Sequence, residues 1–120
     1  IVMTSLKSLQ DQGIEPIQED VKFARFIKRE IFPGGQLCSP ERIKLLAEQA
    51  GFDVYHVQSL RLHYARTLDC WATSLVSARE QAIALTSQTV YDRYEKYLTG
   101  CAKQFRKGTI DVIQFCMRRV

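Results

Sequence analysis

Four cysteines and two histidines are the residues of this chain best suited to chemistry, and their spacing limits what that chemistry is. Cys38, Cys70, Cys101 and Cys116 make no Cys-x-x-Cys pair, and neither His56 nor His63 stands at metal-ligand spacing from them. No metal site is expected, and the pattern reads as reduced thiols in a cytosolic protein. Cys101 falls in an apolar row and reads as a small wall rather than a nucleophile, which needs an electropositive, partly exposed setting. His56 lies in a strand-like segment without a partner, and His63 reads as a structural or surface residue. The only adjacent glycines, Gly34 and Gly35, follow a helix rather than a strand, so they do not form the loop that cradles a nucleotide. Tyr64 and Leu68 are one helical turn apart, as are Tyr97, Cys101 and Phe105, so each group points one way. Periodicity alone would make these rows core.

The elements that must position these residues follow from spacing. Ile1, Val2 and Met3 could end a strand, and Thr4 to Gln18 is a polar loop broken by Gly13 and Pro16. From Gln18 to Ile31, Val21, Ala24, Ile27 and Ile31 recur at helical spacing, with Phe23 and Phe26 widening the stripe, and Pro33-Gly34-Gly35 stops the helix. Ser39, Pro40 and Glu41 supply an N-cap, a first-turn proline and a first-turn acid for a helix that ends at Ala50-Gly51. Phe52 to Leu60 reads as a strand. Tyr64, Leu68, Trp71, Leu75, Ala78, Ala82 and Leu85 predict one long helix from about His63 to Leu85 with a single buried face. Ser87 to Arg106, with Val90, Tyr94, Tyr97, Cys101 and Phe105, predicts another helix, ended by Gly108 in the left-handed region. Thr109 to Met117 is β-prone and is expected to pair antiparallel with Phe52 to Leu60. Two strands alone bury too little, so the pair calls for a larger sheet.

With 120 residues, 46% hydrophobic and 25% charged, the chain has the size and composition of one globular domain or part of one. No apolar run approaches the ~20 residues that cross a bilayer. No basic, apolar, small-residue order opens the chain as a secretory signal would. The first residue is Ile1, which together with the incomplete sheet suggests the end of a longer α/β domain. The net charge of +4 is a mild excess that suits an acidic partner or a membrane surface. The cations are spread out, and nucleic-acid binding rests on nothing beyond that charge.

Three ordered blocks carry a resemblance: Glu30-Ile31-Phe32-Pro33-Gly34-Gly35-Gln36-Leu37, then Gln58 to Asp69 with His63-Tyr64-Ala65-Arg66-Thr67-Leu68, then Val90 to Ala102 with Tyr91-Asp92-Arg93-Tyr94-Glu95-Lys96-Tyr97. From Ile1 to about Phe115 the chain resembles the cyclopropane-fatty-acid synthase family, and within it the mycolic acid cyclopropane and methyl transferases. The resemblance implies the carboxy-terminal portion of a Rossmann-like, S-adenosylmethionine-dependent α/β methyltransferase, mostly helices plus a terminal antiparallel strand pair. Residues 1–120 would be a single partial domain without the donor-binding half. The implied chemistry passes a methyl group from S-adenosylmethionine to a cis double bond of a long acyl chain. The carbocation then loses a proton to close a cyclopropane ring, or in some relatives is captured by water.

By the same resemblance, Tyr64 and Ile1 contact the bicarbonate that serves as base, and Phe32, Leu37, Leu68, Tyr97, Cys101 and Phe105 line the acyl tunnel. The physical case agrees, since an alkyl chain needs apolar walls and a nascent cation is stabilised by aromatic faces within about 6 Å. Where relatives carry Leu-Pro-Ser, this chain has Leu37-Cys38-Ser39-Pro40, which moves the proline. S-adenosylmethionine and bicarbonate are implied for the full-length family, but none is expected to bind this chain alone, because the glycine-rich donor loop is absent from it. The implied partners are a long-chain acyl substrate, with an acyl carrier protein as a candidate carrier, and the missing amino-terminal half. Arg61 and Arg66 read as surface solvation before a carrier-docking role. The alternative is a non-enzymatic lipid-binding remnant, and by analogy the expected location is the cytoplasm, near the inner membrane face.

Overall fold

The structure, a computed structural model, describes Gly13 and residues 15–120. The strand-like stub at Ile1, the first part of the polar loop, and the site candidate Ile1 itself lie outside the described residues. Helix α1 spans Gln18–Phe26 and continues into a π-helical turn over Ile27–Ile31. Asp20, in the first turn of α1, accepts a hydrogen bond from the Ile17 N–H at 3.3 Å. Phe32 N–H donates to Ile27 C=O at 2.8 Å and closes the wider turn. The predicted helix therefore keeps its span, with a last turn wider than an α-helix. Gly34, with φ +73°, turns the chain away.

Helix α2, Pro40–Gln49, begins as expected, with Ser39 Oγ accepting from Arg42 N–H at 3.3 Å. Gly51 follows it with φ +86° and leads into β1, Phe52–Ser59. Strand β2, Ile113–Arg119, pairs antiparallel with β1, Phe52 opposite Arg119 and Ser59 opposite Ile113, with an irregularity at Tyr55. Asp53 and Arg118 form an ion pair across the strands at 2.8 Å. The expected second strand starts later than its sequence suggests. Thr109 to Val112 leave the ladder because they turn the chain out of a helix, with Thr109 and Val112 buried beneath it.

The predicted helix from His63 to Leu85 is two helices, α3 (Arg61–Ser77) and α4 (Arg79–Leu85), parted at Ala78, whose ψ of +22° leaves the helical range. Helix α5 spans Gln88–Lys107, capped by Ser87 Oγ on the Val90 N–H at 3.2 Å and ended by Gly108 at φ +82°. Helices α3 and α5 pack along each other, and the core sits between them: Ala65, Leu68 and Ala72 face Leu98, Cys101, Ala102 and Phe105, with Val112 closing one end. The single buried stripe expected on α3 and α4 is corrected here. Trp71 is 54% and Leu85 77% exposed, and Ala78 is exposed at the break. The buried row runs through Ala65 and Ala72 instead, because small side chains let the two helices approach closely.

Candidate functional site

Aromatic and small apolar residues from three elements meet around the α3–α5 core. Tyr64 on α3 and Phe105 on α5 place their ring centroids 6.1 Å apart. Tyr97, two turns earlier on α5, holds Phe32 edge-on at 6.0 Å and Tyr94 edge-on at 6.3 Å. Leu68 and Cys101 lie in the core between these pairs, and Tyr64 and Tyr97 pack against the same cluster. The π-helical turn delivers Phe32, since its wide hydrogen bond ends on that residue.

Of the expected tunnel residues, the structure thus brings together Phe32, Leu68, Tyr97, Cys101 and Phe105, with Tyr64 alongside. Leu37 is not brought in. It is 45% exposed in the loop before α2 and does not pack on the cluster. Sequence reasoning took Trp71, Leu75 and Tyr94 for plain core. They line, with Ser74, Tyr97 and Leu98, an open groove of about 510 Å³ between α3 and α5. Helical spacing identified the face correctly but does not tell a covered face from an open one.

The electrostatics of the cluster are those of an apolar wall. Burial pushes the Cys101 thiol up to about 12, so it holds its proton near neutrality. Burial, and then the neighbouring Cys101, pushes the Tyr97 phenol up as well. Both groups stay neutral and suit hydrocarbon better than ions.

Arg61 does more than solvate a surface. Its Nη1 donates to the Phe105 carbonyl at 2.6 Å and the Arg106 carbonyl at 3.0 Å, satisfying the last turn of α5. Arg66 stays exposed, as do His56 and His63. Among the described residues no group of three or more His, Cys, Asp or Glu could hold a metal ion, and no helix is long and apolar enough to cross a membrane.

A methyl-donor nucleoside requires a strand, a glycine-rich turn and a helix in sequence. Among the described residues, β1 runs through Leu60 directly into α3 without a glycine, and Gly34-Gly35 follow a π-helical turn. The described residues hold no such cradle.

The cluster and its surrounding fold have counterparts in known proteins. The profile of the family described as mycolic acid cyclopropane synthetase matches residues 1–115. Cyclopropane mycolic acid synthase 3 of Mycobacterium tuberculosis is 55% identical over 119 residues, covering 99% of this chain and 42% of that protein. Methoxy mycolic acid synthase MmaA3 of the same species is 47% identical over 114 residues, 95% of this chain and 39% of that protein. The crystal structure of mycolic acid cyclopropane synthase CmaA1 complexed with SAH and CTAB matches with a TM-score of 0.90 at 46% identity, covering 98% of this chain and 42% of that one. The chain thus spans about two-fifths of the length of its relatives, and the strand pair and helices described above are the part of the methyltransferase fold they share. With the profile running through every described element as far as Phe115, the chain belongs to the mycolic acid cyclopropane synthetase family.

Proposed function

We propose that this chain supplies the acyl-holding part of an S-adenosylmethionine-dependent methyltransferase that acts on the double bond of a long acyl chain and leaves a cyclopropane ring or a methyl branch. The observation that carries this reading is the aromatic constellation of Phe32, Tyr97, Tyr64 and Phe105 around Leu68 and Cys101, built on residues that the family resemblance assigns to the tunnel. In it, Leu68, Cys101 and Phe105 form the wall, and Phe32 and Tyr97 close the open side. The faces of Tyr64, Tyr97 and Phe105 would stabilise positive charge developing on the chain. Tyr64 and Ile1 are the positions assigned to the bicarbonate. Leu37, exposed in its loop, is retained as a tunnel residue that must move inward to serve.

The donor belongs to the rest of the fold, residues 1–120 being one partial domain. The relative CmaA1 has been crystallised as a complex with SAH and CTAB, a nucleoside and an amphiphile together, which supports a donor and an acyl chain meeting in a complete enzyme. The acyl group arrives free or on an acyl carrier protein, in the cytoplasm and near the inner membrane face.

A second reading, a lipid-binding remnant without chemistry, draws on the lack of a donor cradle among the described residues. Calorimetric titration of the 120-residue chain with S-adenosylmethionine and, separately, with a long-chain fatty acid tests both, beside a thermal melt showing that the chain is folded. Fatty-acid uptake without donor binding is the expected result. Donor binding would overturn the claim that this part lacks the donor site, and absence of fatty-acid uptake by a folded chain would overturn the tunnel. Methyl transfer to the acyl chain, regained when the amino-terminal half of a relative is supplied, separates the enzyme part from the remnant.

A further inference from the structure

Three acids lie between Gln18 and Ile31, and α5 pairs a cation with each. Lys103 meets Glu19 at 2.7 Å, Lys107 meets Asp20 at 2.8 Å and Arg93 meets Glu30 at 3.2 Å. The four cations of the same segment, Lys22, Arg25, Lys28 and Arg29, are exposed, and among the described residues none forms an ion pair. The acids of the segment are therefore each paired with α5, Asp20 buried and Glu19 and Glu30 exposed, while its cations face solvent. Val21 and Lys28 are seven residues apart and share a line on the helix, with Arg25 beside them, while Lys22 and Arg29 flank the other edge. On or next to this face are apolar side chains that protein does not cover: Ile17 is 53% exposed, Val21 41% and Phe32 51%.

We propose that the outward face of α1 and its π-helical turn, Lys22, Arg25, Lys28 and Arg29 with Ile17 and Val21, is a docking surface for an anionic lipid bilayer. Charge complementarity selects the occupant, since lipid phosphates answer unpaired cations. The exposed Ile17 and Val21 favour a bilayer over an acidic protein, because an interfacial helix places its apolar side chains below the phosphates while its cations stay level with them. Phe32, at the end of the same segment, would then stand between the bilayer and Tyr97.

This docking face deepens the acyl-lipid reading and rests on it only in that a bilayer is where long acyl chains reside. The test is flotation of the 120-residue chain with vesicles of phosphatidylcholine alone and of phosphatidylcholine with a minor share of phosphatidylglycerol. Binding to the anionic vesicles that weakens with salt is expected, with little binding to the neutral ones. R25Q/K28Q should lower the partition coefficient roughly 25-fold, about 5-fold for each cation. V21S should lower it while leaving the salt dependence unchanged. All of these positions are solvent-facing, so an unchanged melt verifies that the variants fold. Equal binding to neutral vesicles, undiminished binding by R25Q/K28Q, or capture of an acidic protein without flotation each overturns the proposal. Lost flotation with retained fatty-acid uptake removes this surface alone, and the converse removes the tunnel reading alone.

Discussion

The ring of Phe23 on α1 lies against Gly100 of α5, so close that a Cβ built on Gly100 would fall 2.6 Å from Cζ and 2.8 Å from Cδ2 of the ring. Gly100 is a helix-interior glycine, which costs about 1 kcal/mol relative to alanine. The close approach of α1 explains why that cost is tolerated. G100A gains the helix propensity but forces the ring away, an overpacking cost of about 1–3 kcal/mol. The expected result in urea denaturation is a net loss of about 1 kcal/mol for G100A in the wild-type chain and a gain of about 1 kcal/mol in the F23A background. Stabilisation by G100A in both backgrounds would show that Phe23 does not hold α1 in place.

Asp20 fixes the same helix by charge. It is 4% exposed, and its Oδ1 accepts from Gln104 Nε2 and from Lys107 Nζ, each at 2.8 Å. Burial pushes its carboxyl up, but the hydrogen bonds from Gln104 and Lys107 and the lysine charge outweigh that and hold it below its ordinary value of 3.8. A depressed folded-state pKa contributes stability that is present above the unfolded value and lost as pH falls through the folded one. D20N should therefore cost about 1–3 kcal/mol at neutral pH. The gap between wild type and variant should close as the pH is taken below 3.8. Urea midpoints measured across that range check it, and a gap that persists at the acid end would assign the effect to packing.

How much of this was readable in the sequence depends on how far apart the partners stand. Ser39 before Pro40, Ser87 before its helix and Gly108 after it act within three or four residues, and each boundary falls where the residues put it. The strand pair was legible for a similar reason, because two β-prone runs flank an obvious helical excursion. The Asp20–Gln104 hydrogen bond joins positions 84 residues apart and leaves no local pattern. The break at Ala78 interrupts a stripe that continues in register on both sides, and the π-helical turn consists of residues that suit an α-helix equally well. In the site, the rows of Tyr64 with Leu68 and of Tyr97, Cys101 and Phe105 were legible as faces. That Phe32 completes them while Leu37 stays out depends on the turn between them, which propensity does not specify.

The four cysteines should differ in reactivity. Cys70 is exposed, Cys38 and Cys116 are half-buried, and Cys101 is buried with its thiol pushed up to about 12. Alkylation requires the thiolate, and at pH 8 only about one Cys101 in 10,000 carries it. Iodoacetamide followed by peptide mass spectrometry should modify Cys70 first and leave Cys101 unmodified until denaturant is added. Rapid labelling of Cys101 in the folded chain would mean that the α3–α5 core opens readily.

Phe105 and Phe32 both belong to the proposed tunnel, yet their truncation should read out differently. Phe105 is 2% exposed, so F105A leaves a cavity and should cost about 3–5 kcal/mol. Phe32 is 51% exposed with its ring on Tyr97, so F32A should leave the unfolding midpoint almost unchanged while weakening fatty-acid uptake several-fold. A large loss of stability in F32A with unaltered uptake would return Phe32 to a structural role.

Trp71 is the chain's one tryptophan, and its place in the α3–α5 groove makes it a reporter of what fills that groove. Half exposed now, its indole sits beside Leu75, Tyr94 and Tyr97, and Tyr97 also bounds the tunnel cluster through Phe32. An alkyl chain held against Tyr97 and running on along the groove would displace water from the indole. Emission should then shift to the blue and become harder to quench with iodide as a long-chain fatty acid is added. Shortening the acyl chain should remove the shift before it removes binding, because only a chain long enough to run past Tyr97 would reach Trp71. Y97A should abolish both. Binding that never changes Trp71 emission at any chain length would confine the acyl chain to the cluster around Leu68 and Cys101, leaving the groove outside its path.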